Sequence, residues 1–404
     1  MAITSASSSP LPPSRDPFYT PPSAYVDAAP GTTLRLRSAP GNLTSTFGNA
    51  SAVYNILFRT TDTNYLPSYA WTILFVPLEA STSNATNALL SYQIPYNTPD
   101  VDAGPSTLLY SSPSDLGLIY SDIQSALAKG WYVNVPDFEG PEASFLCGVQ
   151  EGHATIDSIR AATAWTGEKT KVALWGYSGG SIASLFALEL QVQYAPELRR
   201  AIVGAAVGGL VPNITTAIPF LAQHSTFAGL IPAFMVGFAT QHPHFEAYLQ
   251  SQLLPTGDYN ASTFFSVKNM SIAQAFTAFA GQDMYRYFRA GRQVFSYPAI
   301  RNPVARDATL GYHGVPTVPL YVYKAVHDEI SPVEDADALV RRYCQGGANV
   351  VYERNEIGGH LAEETNGDAR ALGVLEQMLG GMWKSGDGVC VVRNVAVHVT
   401  DCLL

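Results

Sequence analysis

Charge is scarce in this chain. Only 14% of its 404 residues are Asp, Glu, Lys or Arg, against 47% apolar. That balance excludes a disordered chain and leaves ample material for a core. No basic run occurs and the net charge is −10, so the footprint of a nucleic-acid binder is missing. Long apolar runs are also missing. The longest of interest, Thr226 to Ala239, is shorter than the ~20 residues of a bilayer span and is broken by Pro and Gly. There are only four cysteines, Cys147, Cys344, Cys390 and Cys402, and none has metal-ligand spacing. In an oxidising compartment they allow two disulfides in three connectivities, and spacing does not choose among them. The first residues show no basic stretch followed by an apolar one, so no signal peptide is legible.

Sequons, by contrast, are abundant. Asn42, Asn49, Asn84, Asn213, Asn260 and Asn269 each begin an Asn-x-Ser/Thr triplet. That favours a secreted glycoprotein whose signal has been removed, with Met1 as a replacement start. A cytosolic protein rich in Asn, Ser and Thr is the bland alternative.

Residues 1–30 are rich in Pro, Ser and Ala and read as an extended surface segment. Alternating runs such as "AVYNILFRTTD" and the apolar "AWTILFVP" then read as strands. From there strands and helices alternate: "ALLSYQIPY", a helix ending at Gly130, "WYVNVPDF", the helix "EGHATIDSIRAATAWT" and the strand "KVALWGY". This rhythm predicts a mostly parallel sheet with helices on both faces. It lapses over residues 212–313, where helical patterns occur without strands. A bare loop of that length is improbable, so the segment reads as a helical cap inserted into a core made of residues 31–211 and 314–404. The rhythm resumes with "VPLYVYKA", a helix, "NVVYERNE" and a helix from about Gly367.

"VALWGYSGGSIAS" places Ser178 between a strand and a helix, in the pattern Gly176-x-Ser178-x-Gly180. Small residues on both sides let strand and helix pack round a sharp turn that exposes the hydroxyl. The pentapeptide alone also fits an ordinary glycine-rich turn; the flanking strand and helix favour a nucleophile. No Gly-Lys-Ser/Thr follows, which argues against a phosphate loop. A serine hydroxyl needs a base, and the base needs a carboxylate to fix its tautomer. In such folds the chain order is Ser, acid, His. Asp328 lies just beyond the strand "PLYVYKA". His360 lies in the glycine-rich loop after the next strand. Glu329 is the rival acid, and only one of the two neighbours should reach the imidazole.

Several stretches together resemble the fungal secretory lipase family. They are "RDPFYTPP", "LLSYQIPYNTPD", "VPDFEGPEASFLCGVQEG", "WGYSGGSIAS", "HDEISPV" and "GGHLAE", in the family's order and over most of the chain. The resemblance implies an α/β-hydrolase fold with a helical cap and a Ser178–Asp328–His360 triad. It implies a disulfide between Cys344 and Cys390, leaving Cys147 and Cys402 as a weaker pair or as free thiols. Two positions depart from the family. Asn97 stands where an Asp usually helps stabilise the oxyanion, and Gly104 stands where a cysteine is common.

The chain is therefore expected to be a secreted serine carboxylic-ester hydrolase, acting on hydrophobic acyl esters through an acyl-enzyme. The backbone N–H of Gly179 and the Asn97 side chain are the expected oxyanion donors. No metal or organic cofactor is required. The partner is an ester substrate, with the apolar segment from Leu230 to Phe238 favouring a greasy acyl group or a lipid interface. An esterase, deacetylase or acyltransferase acting on a fungal secondary metabolite is the alternative. A non-catalytic binding protein on the same fold is the reading from another class.

Overall fold

The computed structural model describes residues 9–79, 87–167, 169–383 and 389–399. The sequon at Asn84 and the thiol of Cys402 lie outside them. Ten strands among the described residues form one sheet. They are β1 (Thr33–Ser38), β2 (Ala50–Thr61), β3 (Pro67–Pro77), β4 (Ala88–Gln93), β5 (Tyr132–Pro136), β6 (Lys171–Tyr177), β7 (Ile202–Gly208), β8 (Leu320–Ala325), β9 (Val350–Asn355) and β10 (Cys390–Val395). The order across the sheet is β1-β2-β3-β5-β4-β6-β7-β8-β9-β10. Pairings from β1 through β3 to β5 are antiparallel; the rest are parallel.

Helices of eight residues or more are α1 (Leu118–Ala128), α2 (Gly148–Thr166), α3 (Gly179–Tyr194), α4 (Ile214–Leu221), α5 (Leu230–Ala239), α6 (Pro243–Gln252), α7 (Ile272–Phe279), α8 (Pro298–Asp307), α9 (Val333–Gln345) and α10 (His360–Leu379). Helices α2, α3 and α9 cover one face of the sheet, α1 and α10 the other. Both faces of the central strands are thus dry, which is why β4 and β6 read as nearly unbroken apolar runs.

Between β7 and β8 the chain forms α4 to α8 and only isolated bridges. All ten residues of α5 are buried. The apolar segment expected to meet acyl chains or a lipid surface is therefore mostly interior packing. A buried carboxylate ties these helices to the core. Asp307 Oδ1 accepts from Val149 N at 2.8 Å, and its Oδ2 from Thr63 Oγ1 at 3.0 Å and His242 Nε2 at 2.8 Å.

Two details differ from the sequence reading, in the N-terminal segment and at the last long helix. The N-terminal segment does run over the surface, but Phe18 and Tyr19 are pinned against Leu57 and Trp71. Asp16 pairs with Arg37 at 2.6 Å. The last long helix starts at His360 rather than near Gly367. Residues 360–366 include good helix formers, and the Glu329 carboxylate accepts the His360 N–H, satisfying a donor at the helix start. The tail supplies a real strand, β10, whose Cys390 is bridged to Cys344 on α9. Cys147 is a buried free thiol.

Several carboxyls are buried where ionisation is costly. Burial lifts Asp137 to about 7 and Glu151 to about 8. Burial, with Asp368 beside it, lifts Asp122 to about 9. A group whose pKa is raised by folding stabilises the fold below its unfolded value, near 4, and loses that contribution as pH climbs through the folded value. The melting temperature is therefore expected to fall between pH 5 and pH 9. A thermal unfolding series that stays flat or rises over that interval contradicts this account.

Candidate active site

Strand β6 ends at Tyr177 and α3 begins at Gly179, leaving Ser178 alone at the corner. Its φ of 50° and ψ of −120° are strained for a residue with a side chain. The corner is tight. A Cβ on Gly176 would lie 2.2 Å from Gly180 O, and one on Gly180 would lie 1.8 Å from Gln93 O. The two motif glycines let α3 fold back on its own strand and on β4. Ser178 N donates to Gly208 O at 3.0 Å, which anchors the corner to β7.

Asp328 follows β8, and His360 follows β9. The structure brings both to Ser178. His360 Nε2 lies 2.9 Å from Ser178 Oγ, and Nδ1 lies 2.7 Å from Asp328 Oδ2. Asp328 Oδ1 accepts from Ile330 N and Ser331 N, both at 2.9 Å. Burial works against its ionisation. The hydrogen bond and charge of His360 and the Lys324 ammonium outweigh it, and hold the carboxyl far below the usual range.

Sequence reasoning missed three supporting groups. Lys324, fully buried at the end of β8, donates from Nζ to Asp328 Oδ2 at 2.6 Å and to Leu210 O at 2.9 Å. Its signal was a lysine inside the apolar run "PLYVYKA", four residues before the acid. Burial lowers its pKa and Asp328 opposes the shift. Glu329, the rival acid, accepts from the backbone N–H of His360 at 2.6 Å. Tyr177 Oη donates to the His360 carbonyl at 2.5 Å. Backbone and ring of the histidine are thus held at three points.

Asn97, at a φ of 46°, sits across from the corner. A Cβ on Gly179 would be 1.9 Å from Asn97 Oδ1, so only glycine fits beneath that amide. Oδ1 is buried without a partner, and Nδ2 bonds to none of the described residues. The Gly179 N–H, in the first turn of α3, has no intrahelical acceptor. Buried Glu139 lies behind this loop. Burial, then Glu151, raises its carboxyl well above the usual range, and the N–H groups of Thr98 and Asn97 pull the other way.

Two cavities meet at Ser178, and both are lined by Asn97, Leu230 and Ile330. One lies on the Gly179 side, between Phe145, Leu146, Ile182, Val211 and Ile214, and holds only about 20 Å³. The other lies on the His360 side and holds about 220 Å³. Phe227, between α4 and α5, Leu230 at the start of α5, and Ile272 and Phe276 of α7 wall the larger one.

Among the described residues, one group has ligand atoms close enough to share a metal ion: Cys147, His242 and Asp307. Its atoms are already engaged. Asp307 takes the three donors given above, and the Cys147 thiol faces Phe238 O at 3.7 Å. Of the sequons, Asn42 and Asn269 are exposed. Asn49 and Asn260 spend their Nδ2 on Gln124 O and Gly257 O, and Asn213 Oδ1 caps α4 by accepting from Thr215 N.

The family model for secretory lipases matches residues 115–385. A trichothecene C-3 esterase of Fusarium sporotrichioides is 42% identical over 99% of this chain and 91% of its own. Lipase A of Arthroderma benhamiae is 36% identical over 93% of this chain and 82% of its own. The crystal structure of Candida antarctica lipase A superposes with a TM-score of 0.85 at 26% identity, covering 97% of this chain and 91% of that one. The chain belongs to the secretory lipase family, and it is a carboxylic-ester hydrolase on the α/β-hydrolase fold.

Proposed function

We propose that Ser178 is the nucleophile of this hydrolase, His360 its general base and then acid, and Asp328 the carboxylate that orients the imidazole. The observation that carries the reading is the chain of contacts from Ser178 Oγ through His360 to Asp328, at 2.9 and 2.7 Å. Asp328 fixes the tautomer with the proton on Nδ1, which leaves Nε2 free to take the serine proton. Oγ then attacks the ester carbonyl. Negative charge develops on the carbonyl oxygen, where the Gly179 N–H and Asn97 Nδ2 donate. His360 returns its proton to the leaving alkoxide. Water, or a second alcohol, resolves the acyl-enzyme by the same steps.

The leaving oxygen must reach His360 Nε2, so the alcohol occupies the cavity on the histidine side and the acyl group the one beside Gly179. The volumes, about 220 and 20 Å³, then favour a short acyl group on a bulky alcohol. About 10–15 Å³ admits one water-sized sphere, so the acyl side suits an acetyl methyl better than a long chain. Likeness to the trichothecene C-3 esterase makes trichothecene-type esters the first substrates to test. Residues 212–313 act in this reading as a cap that shapes the alcohol site. Contact of the cap with a lipid surface would have to use exposed rings such as Phe220 and Tyr297, the latter stacked on Tyr248. Secretion follows the family, with glycans expected first at Asn42 and Asn269.

Ser178→Ala and His360→Ala are each expected to lower kcat by about 10⁴-fold or more while the fold survives. Asp328→Asn costs somewhat less rate but also stability, because Lys324 loses its counter-charge in a dry site. Near-normal activity of Asp328→Asn assigns the role to Glu329. A fluorophosphonate probe labels the intact protein and not Ser178→Ala; failure to label the intact protein favours a non-catalytic binder.

Across p-nitrophenyl esters, kcat/KM is expected to drop by about 10-fold or more from acetate and butyrate to octanoate and palmitate, the scale of forcing extra methylenes into a filled space. Palmitate turned over as well as acetate overturns the short-acyl assignment. Asn97→Ala is expected to reduce kcat by about 10- to 10³-fold with little change in stability. An aspartate there donates only when protonated, so Asn97→Asp regains rate mainly at lower pH. Full activity of Asn97→Ala leaves the second donor to the backbone.

A further inference from the structure

The alcohol-side cavity contains one group that the proposed chemistry does not use. Glu364 lies one turn beyond His360 on α10, and the two line the same space with Ser178. Side chains four apart on a helix share a face, about 5–6 Å apart at their Cβ atoms. The walls around Glu364 are otherwise largely apolar: Ile119, Phe227, Ile272, Phe276, Ile330 and Leu361. No described residue donates a hydrogen bond to its carboxyl.

The groups behind Glu364 offer no relief. Burial raises its pKa, with His360 opposing and Asp368 adding to the rise. Asp368 in turn lies against Asp122, whose Oδ2 accepts from Tyr92 Oη at 2.6 Å. No lysine or arginine figures among these influences. Glu364 is half-buried and its carboxyl still meets solvent, so an alcohol entering this largely apolar pocket displaces that water and must replace its hydrogen bond.

We propose that Glu364 accepts a hydrogen bond from a free hydroxyl on the alcohol half of the ester, so that the enzyme selects esters of alcohols that are apolar in bulk but carry at least one further hydroxyl. The proposal rests on Ser178 as nucleophile and on the histidine side as the alcohol site. The ester oxygen sits at His360 Nε2, and the spacing of the two side chains sets a second polar point one helical turn away. A flat apolar alcohol fills the space but leaves Glu364 unpaired. A polyol with no apolar body meets Ile272 and Phe276 instead of water. Glu364 is thus a specificity-determining residue and takes no part in bond making.

The test compares cyclohexyl acetate with the monoacetates of 1,2-, 1,3- and 1,4-cyclohexanediol, and reads the ratio of kcat/KM. The wild type is expected to favour at least one diol monoacetate by about 10-fold or more, the discrimination given by a buried acceptor built for a hydroxyl. Glu364→Leu is expected to bring that ratio close to one. Glu364→Gln keeps a carbonyl acceptor and is expected to retain most of it, which separates loss of the contact from loss of the fold. A ratio near one in the wild type overturns the proposal. So does a ratio unchanged in Glu364→Leu, including a parallel fall for all substrates, which makes Glu364 a support for His360 alone. So does a greater preference for the acetate of an amino-cyclohexanol. Fluorophosphonate labelling of Ser178 in each variant reports on the nucleophile separately, so failure of the triad reading is distinguishable from failure here.

Discussion

The ionised carboxylate of Asp328 is the interaction on which the site depends. It is buried, and burial of an isolated carboxylate is prohibitive. Four donors make it tolerable: Lys324 Nζ, His360 Nδ1 and the N–H groups of Ile330 and Ser331. They come from the end of β8, the turn after it and the start of α10. Lys324 also reaches Leu210 O, beyond β7. One charge pair thus ties together the segments that follow three adjacent strands, and Ser178 stands beside them at the end of β6. A histidine fixed by this arrangement has little freedom to turn away from the serine.

Much of this was legible in the sequence because it is local. The corner at Ser178 depends on two glycines whose close contacts forbid a side chain, and glycines at that spacing are visible in a string of letters. The order Ser, Asp, His follows from strand succession, since each group needs the C-terminal end of its own strand. What stayed hidden was which buried groups pair. The lysine inside an apolar run stands out, but nothing in the letters says that Asp328 turns back into the same dry space. Glu329 looked like a competitor for the imidazole, whereas its carboxylate holds the backbone of His360 and starts α10. The loop expected at 360–366 is helix for that reason. Phe18 and Tyr19 sit in a Pro/Ser-rich segment whose composition says surface, yet Trp71, far along the chain, gives them somewhere to be buried.

The helical insertion obeys the same logic of distant partners. Its residues are apolar enough to suggest a membrane or a greasy ligand, but α5 spends its whole surface on packing. Only its edge, at Leu230, reaches the cavities. Thr98 Oγ1 donates to Met270 O at 2.6 Å, so the loop that carries Asn97 is fastened to the insertion just before α7. The position of Asn97 and the shape of the larger cavity are therefore mechanically joined. A change in how the insertion seats would be felt at Asn97 as well as at the substrate.

The bridge between Cys344 and Cys390 has a consequence for the molecule among its neighbours. Strand β10 completes the sheet beside β9, yet five of its six residues are exposed, so packing does little to keep it there. Its backbone ladder and rim side-chain contacts, such as Arg393 with Glu353 and Asn394 with Glu356, are what hold it; an edge strand so held can be traded for the same strand of another copy, and the uncovered edge invites further chains. The covalent tether keeps the strand at high effective concentration beside its own sheet. Oxidation thus acts as a guarantee of self-pairing: each chain closes its own sheet before it can lend the strand to another.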